Sequence, residues 1–463
     1  MGSSALSPAA PPRTTQVFCA STLYGAATLA AAIDAGLFPP ADRRLLVVCN
    51  NAGSPELTPS VDEMPGFERL RGRFDDLVSW NETIRPFHPG GWAPRPGDVP
   101  IWERHLRLTW GLGDDRVHLV VESIQVNPAL AIAQIFTGAP IDVYADGLMS
   151  YGPTRSKIDP LVGERVRRLL HLDLVPGLKP LLLTEFGVGA ELVPTDGFLR
   201  VLDELTDAYD ADADDTAAGP AATGDPSAHS PALLLGQYLS ALSILTESEE
   251  EELHIRMVRG AVARGHTQVV FKPHPNAPAV WSRLLREEAA QLGAELTILD
   301  SPVLAEVLYR RLKPALVVGC FSTALFTASA FYGIPVARTG TELLLERLTP
   351  YQNSNRVPVT IVDALLPPLD DDGTHRPDPQ VGELVATVGY AMQHQIHPEL
   401  RPAAEGYLSR HLDQHTWRYF KRRRLTALAL PGAVPAQLAR IPRNATARRM
   451  VRRARKLRST LRS

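Results

Sequence analysis

The sequence predicts an α/β protein made of two parallel-sheet halves that face one another across a cleft. Three observations carry this expectation. Short runs that are apolar throughout alternate with helical stretches, the pattern of strands covered on both faces of a parallel sheet. The chain of 463 residues is too long for one ordinary core, so two units of comparable size are expected. Between them, residues 207–231 hold Asp, Ala, Gly, Pro, Thr and Ser with almost nothing apolar to bury, which reads as a flexible acidic linker.

The elements follow in order. Residues 1–14 are rich in Ser, Ala and Pro, lack a basic start and an apolar core, and read as a disordered N-terminus with no signal peptide. The first half, 15–206, opens with a buried strand at 16–21, a tight turn at 22–26 and a small-residue helix at 27–34. A second strand at 45–50 runs into the loop 51–54. A third at 117–121 ends in Glu122 and Ser123, and a fourth at 140–144 runs into Ala145, Asp146 and Gly147. The second half, 232–400, brings strands at 232–237, 268–271 and 315–319, an acid-rich helix from Glu247, and a helix beginning at Ser322. Residues 401–430, with Tyr407, Trp417, Tyr419 and Phe420, read as helical, and 431–463 form a basic tail.

Composition narrows the class. Hydrophobic content of 44% and charged content of 21% are those of a soluble globular protein, and the apolar runs break well before membrane-spanning length. Cys19, Cys49 and Cys320 are far apart in the chain and each lies in an apolar run, which argues for buried free thiols in a reducing cytoplasm. The net charge of −3 conceals ten Arg and Lys with no acid in residues 440–463, leaving about −13 on the rest. A folded body so acidic is not that of a nucleic-acid binder.

Three elements sit just past strand ends, the edge at which open α/β sheets bind ligands. The strand at 268–271 reaches Lys272 and stops at His274, locked between Pro273 and Pro275, because proline fixes φ, lacks an N–H and keeps its predecessor out of helical geometry. Asp146 stands before Gly147. Ser322 and Thr323 open a helix, where unpaired N–H groups and partial positive charge favour a phosphate. Each element also has a plainer reading: a surface His in a turn, an Asx-type turn at Asp146, N-capping by the hydroxyls, and a solvated Lys272. The functional reading gains from their arrangement, since one cleft between two halves would gather all three.

Asp-Gly after a strand, then His-Pro, then Ser and Thr at a strand-to-helix turn, resembles the bacterial sialyltransferases and polysialyltransferases of GT-B fold, two Rossmann-like domains facing a central cleft. Residues 21–25 and 148–155 look like those of actinobacterial α-2,8-polysialyltransferase-like proteins, and the resemblance spans roughly 16–420. It implies inverting transfer from a CMP-activated nonulosonic acid to a glycan hydroxyl, with no metal or other cofactor. By that carry-over His274, with Pro275 and Lys272 beside it, would contact the donor phosphate, and His274 would act as the acid that helps CMP leave. Ser322 and Thr323 would bind the same phosphate, and the Asp-Gly element would supply the base. The family commonly has a pair of acids before the glycine, the first usually taken as the base. Here Ala145 holds that position, leaving Asp146, with Glu122 at the adjacent strand end as second choice.

Met450, Val451, Leu457 and Leu461 form a weak apolar stripe among the arginines of the tail. An interfacial helix on anionic lipid and a disordered cationic tail both fit it. The first suits an enzyme at the inner face of the cell membrane, acting on a glycan or glycolipid acceptor. The rival readings are a transferase or epimerase using another nucleotide sugar, and an inactive membrane-associated glycan- or nucleotide-binding protein.

Overall fold

The computed structural model describes residues 12–215, 230–237, 239–273 and 279–433. Seven strands make the first sheet: β1 (Thr14–Ala20), β2 (Arg43–Val48), β3 (Asp76–Ser79), β4 (Arg116–Glu122), β5 (Ile141–Ala145), β6 (Val166–His171) and β7 (Gly189–Leu192). They lie in the order β3-β2-β1-β4-β5-β6-β7, every neighbouring pair parallel. Five strands make the second: β8 (Ala232–Leu235), β9 (Gln268–Lys272), β10 (Glu295–Ile298), β11 (Leu316–Gly319) and β12 (Val336–Arg338), ordered β10-β9-β8-β11-β12 and also parallel. This is the predicted pair of α/β halves, an architecture of GT-B type.

The strands expected from apolar runs are well buried, and β1, β4, β5, β8 and β11 lie in the middle of their sheets. Strand order reverses between β1 and β4 in the first sheet, and between β8 and β11 in the second. At such points the connecting segments diverge to opposite faces and leave a crevice beyond the carboxyl ends. The cores of the two halves are continuous, one cluster of buried side chains running from Phe18, Leu29 and Val120 to Leu234, Val317 and Leu344. A second cluster, including Val17, Trp80, Trp110 and Val143, covers the outer face of the first sheet.

Several boundaries differ from expectation. The first helix begins at Leu23, not after a turn ending at residue 26, because Thr22 caps it by accepting a hydrogen bond from Gly25 N at 2.9 Å. The helix Thr195–Asp215 runs into the stretch 207–231 read as linker. Its acids have partners there: Arg310 pairs with Asp203, and Arg311 with Asp210 at 2.6 Å. Past Ser322 the regular helix starts at Ala324 and passes at Thr327 into a π-type turn. The helix Val381–Gln393, expected to belong wholly to the second half, packs back on the first. A Cβ added at Gly389 would lie 2.9 Å from Leu181, and Gln393 binds the Arg155 carbonyl. Cys19, Cys49 and Cys320 are buried free thiols. Among the described residues no helix is long and apolar enough to cross a membrane. His274, Pro275 and the basic tail 440–463 lie outside the described residues.

Candidate active site between the facing strand ends

The first-sheet crevice is closed by a short hydrogen bond. At the end of β1 the Ser21 hydroxyl donates to Glu122 Oε2 at 2.5 Å, and Ser21 N donates to the same oxygen at 3.3 Å. Glu122 ends β4, so the bond bridges the two strands between which the order reverses. Directly after it the chain turns tightly, Ile124 N reaching the Glu122 carbonyl at 2.5 Å, with φ of +54° at Ser123 and +52° at Ile124. Left-handed geometry is costly for a β-branched residue, and such backbone persists where the surroundings over-determine it.

Asp146 follows β5, one strand further along the same edge. A Cβ at Gly25 would stand 3.3 Å from Asp146 Oδ2 and 3.0 Å from the Tyr144 hydroxyl, so only glycine lets the first helix approach this closely. Burial pushes the Asp146 carboxyl up to about 7, the Glu122 charge adds to it, and Glu306 contributes further. Burial likewise raises Glu122 against the hydrogen bonds from Ser21, which favour its ionised form. Each carboxyl thus opposes ionisation of the other, and the two titrate as a pair.

The second half brings hydroxyls to this turn. Thr323, past the end of β11, accepts a hydrogen bond from Leu148 N at 3.3 Å, and its Oγ1 is 3.1 Å from where a Cβ of Gly147 would be. Ser322 Oγ accepts from Ala324 N at 3.2 Å. Among the described residues neither hydroxyl donates, so each keeps its O–H for an incoming acceptor such as a phosphate oxygen. Across the crevice of this sheet, Gln237 Oε1 accepts from Phe321 N at 2.9 Å, tying the ends of β8 and β11 together. Lys272, at the end of β9, donates to the Ser301 carbonyl at 3.1 Å; burial lowers its pKa, and the Glu306 and Asp300 charges draw it back up.

Glu306 was not anticipated. It is buried in the helix Ala305–Leu312, accepts from the Thr327 hydroxyl at 2.6 Å, and has its pKa raised by burial. An acid one residue from Val307 and three from Tyr309 on an otherwise apolar face was the available signal. The Tyr24 and Tyr332 hydroxyls are buried with no hydrogen-bond partner among the described residues, and the Glu306 charge acts on both. The structure thus brings together Asp146, Glu122, Thr323, Ser322 and Lys272, and leaves His274 and Pro275 undescribed. A larger recess of about 720 Å³, lined by Leu316, Val336 and Arg264, lies at the other edge of the second sheet, where β11 and β12 begin. Beside Glu122 a cavity of about 60 Å³ is lined by Ser21, Asn51 and Asn127.

A family model described as alpha-2,8-polysialyltransferase (POLYST) matches residues 16–341. The chain belongs to this polysialyltransferase family. It is a sialyltransferase-like glycosyltransferase, and the match takes in every candidate residue of the cleft. Solved structures similar to this polysialyltransferase-family chain include MurG of Acinetobacter baumannii, 11% identical, covering 85% of this chain and 95% of that one with a TM-score of 0.38. The GT-B domain of a Photobacterium damselae sialyltransferase is 12% identical, covering 75% and 95% with a TM-score of 0.38. LpCGTa in complex with UDP is 12% identical, covering 88% and 100% with a TM-score of 0.40. No curated protein matches the sequence.

Proposed function

We propose that this glycosyltransferase moves a nonulosonic acid from a CMP-sugar to a glycan hydroxyl with inversion, and uses no metal. The observation that carries the reading is the contact of Leu148 N with Thr323 Oγ1, which sets the Asp146 turn of one half against the free hydroxyl donors of the other. In a single displacement the acceptor oxygen attacks the anomeric carbon, its proton passes to Asp146, and CMP departs with the bonding pair. A carboxyl titrating at about 7 is matched to accept a proton near neutral pH. The Glu122 charge helps hold the Asp146 carboxyl at that value. Glu122 is the second candidate base, though Ser21 already occupies one of its oxygens.

Negative charge accumulates on the leaving phosphate while the sugar gains oxocarbenium character. Fixed donors at that phosphate stabilise the transition state more than the ground state. Ser322, Thr323 and Lys272 supply such donors, and His274, beyond Lys272 in the chain, is assigned the proton that CMP takes up. No group of the reaction then needs a metal to neutralise it. The basic tail is assigned to anionic lipid, holding the enzyme on the membrane face where a glycolipid acceptor would be.

A panel of CMP, UMP, UDP and GDP in thermal unfolding tests the donor. CMP should raise the melting temperature well above the others. Preferential stabilisation by UDP would replace CMP-sugars with UDP-sugars and remove a nonulosonic acid from the reading.

A further inference from the structure

The stretch 148–155 ends in a cation with no ion-pair partner among the described residues. Arg155 is held from several sides: its N–H donates to Gln125 Oε1 at 2.7 Å, its carbonyl accepts from the Gln393 side chain, and its Nη2 lies 2.8 Å from Met149 Sδ. Gln125 follows Glu122 by three positions and Met149 follows Asp146 by three. Three residues span at most about 10 Å, so Arg155 is tied to both loops that carry the site carboxyls, by its backbone N–H to the Glu122 loop and by its guanidinium to the Asp146 loop.

Several other partly buried arginines pair with carboxylates or spend donors on backbone carbonyls, although Arg356 Nη1 is buried with no partner among the described residues. Arg73, Arg168 and Arg338 pair with carboxylates. Arg165, Arg356 and Arg424 direct their donors at backbone carbonyls. Arg155 has only a thioether, a weak acceptor, so most of its N–H donors are uncommitted. Burial lowers its pKa with no acid raising it back.

We propose that Arg155 receives the carboxylate of a nonulosonic acid residue in the cleft, an inference that rests on the function proposed above. The planar guanidinium meets a carboxylate through two parallel hydrogen bonds, so it fixes orientation as well as charge. Glu122 and Asp146 disfavour an anion beside them, and Ser322, Thr323 and Lys272 are assigned to the phosphate, which leaves the Arg155 guanidinium open to a sialyl carboxylate. The carboxylate has two sources: the donor sugar, and the sialylated end of an acceptor chain.

Equilibrium binding to the full chain separates them and needs no turnover. The ligands are CMP, CMP-N-acetylneuraminic acid, an α-2,8-linked disialoside, and the methyl esters of both sugars. Wild type should bind at least one free acid about tenfold more tightly than its ester. Arg155→Met should abolish that preference and Arg155→Lys restore part of it. Loss confined to the CMP-sugar assigns the donor, loss confined to the disialoside assigns the acceptor, and either supports the inference. Equal affinity of wild type for acids and esters would overturn it without recourse to a variant, as would an unchanged preference in Arg155→Met. Both substitutions leave the backbone bonds to Gln125 and Gln393 in place. A protein that binds as expected yet releases no CMP would contradict the proposed function alone.

Discussion

In the folded chain the Asp146 carboxyl titrates at about 7, because burial and the Glu122 charge oppose its ionisation. Unfolded, the same group titrates near its ordinary value, about 3.9. The fold therefore binds the extra proton, and the stability this provides is fully present below about pH 4 and lost as pH rises through 7. Asp146→Asn removes the ionisation. The variant should melt above wild type at pH 8 and lose that advantage at pH 4, read by paired thermal scans; a pH-independent difference would mean that the carboxyl is not crowded as described. The same substitution should cut transfer by about 10²–10⁴-fold while nucleotide affinity stays within about twofold, because a base acts on the acceptor. Unchanged transfer would move the role to Glu122. Asp146 and Glu122 were legible in the sequence because each closes an apolar strand. Glu306 left only a faint mark, an acid on an otherwise apolar helix face, and nothing in the helix sequence reports that this face meets the other half of the molecule.

Among the elements, the Asp146–Gly147 turn and the segment entering the helix at Ala324 depend on each other across the cleft. Gly147 has extended backbone that other residues adopt freely, with φ of −130°, so what favours glycine there is space: Thr323 Oγ1 is 3.1 Å from an added Cβ. Gly147→Val should push the two elements apart, lowering CMP affinity by about tenfold. Its far-UV circular dichroism should match wild type; collapsed secondary structure would show the turn to be a folding requirement instead. The central strands could be read because parallel strands buried on both faces must be apolar throughout. The edge strands could not. β3, β7 and β10 are short and half-exposed; nor could the inner strand β6, which carries Arg167 and Arg168, whose charges are absorbed by the buried Asp142 at 3.2 and 2.8 Å. Tertiary pairing overrode local composition there.

At the scale of the whole molecule, two halves share one continuous core, are pinned by Arg311 on Asp210 and Arg310 on Asp203, and are strapped by the helix Val381–Gln393. Two units were legible from length and the polar stretch between them. The strap was not, because an apolar helix does not declare which half it covers. The basic tail is assigned a separate task at the lipid surface, so its loss should not disturb this packing. Deleting residues 440–463, with their ten cations, should weaken binding to phosphatidylserine-containing vesicles and leave the melting temperature unchanged. Equal vesicle binding after deletion would remove the membrane role.

In the proposed mechanism a carboxyl of one half takes the acceptor's proton while two hydroxyls of the other half hold the leaving phosphate. CMP release from CMP-N-acetylneuraminic acid in the presence of a sialylated acceptor tests this most directly, comparing wild type with Thr323→Val. Wild type should release CMP, and the variant, which keeps side-chain shape but loses the O–H, should do so about 10–100-fold more slowly. No release by wild type above the uncatalysed rate, or an equal rate in Thr323→Val, would contradict that mechanism.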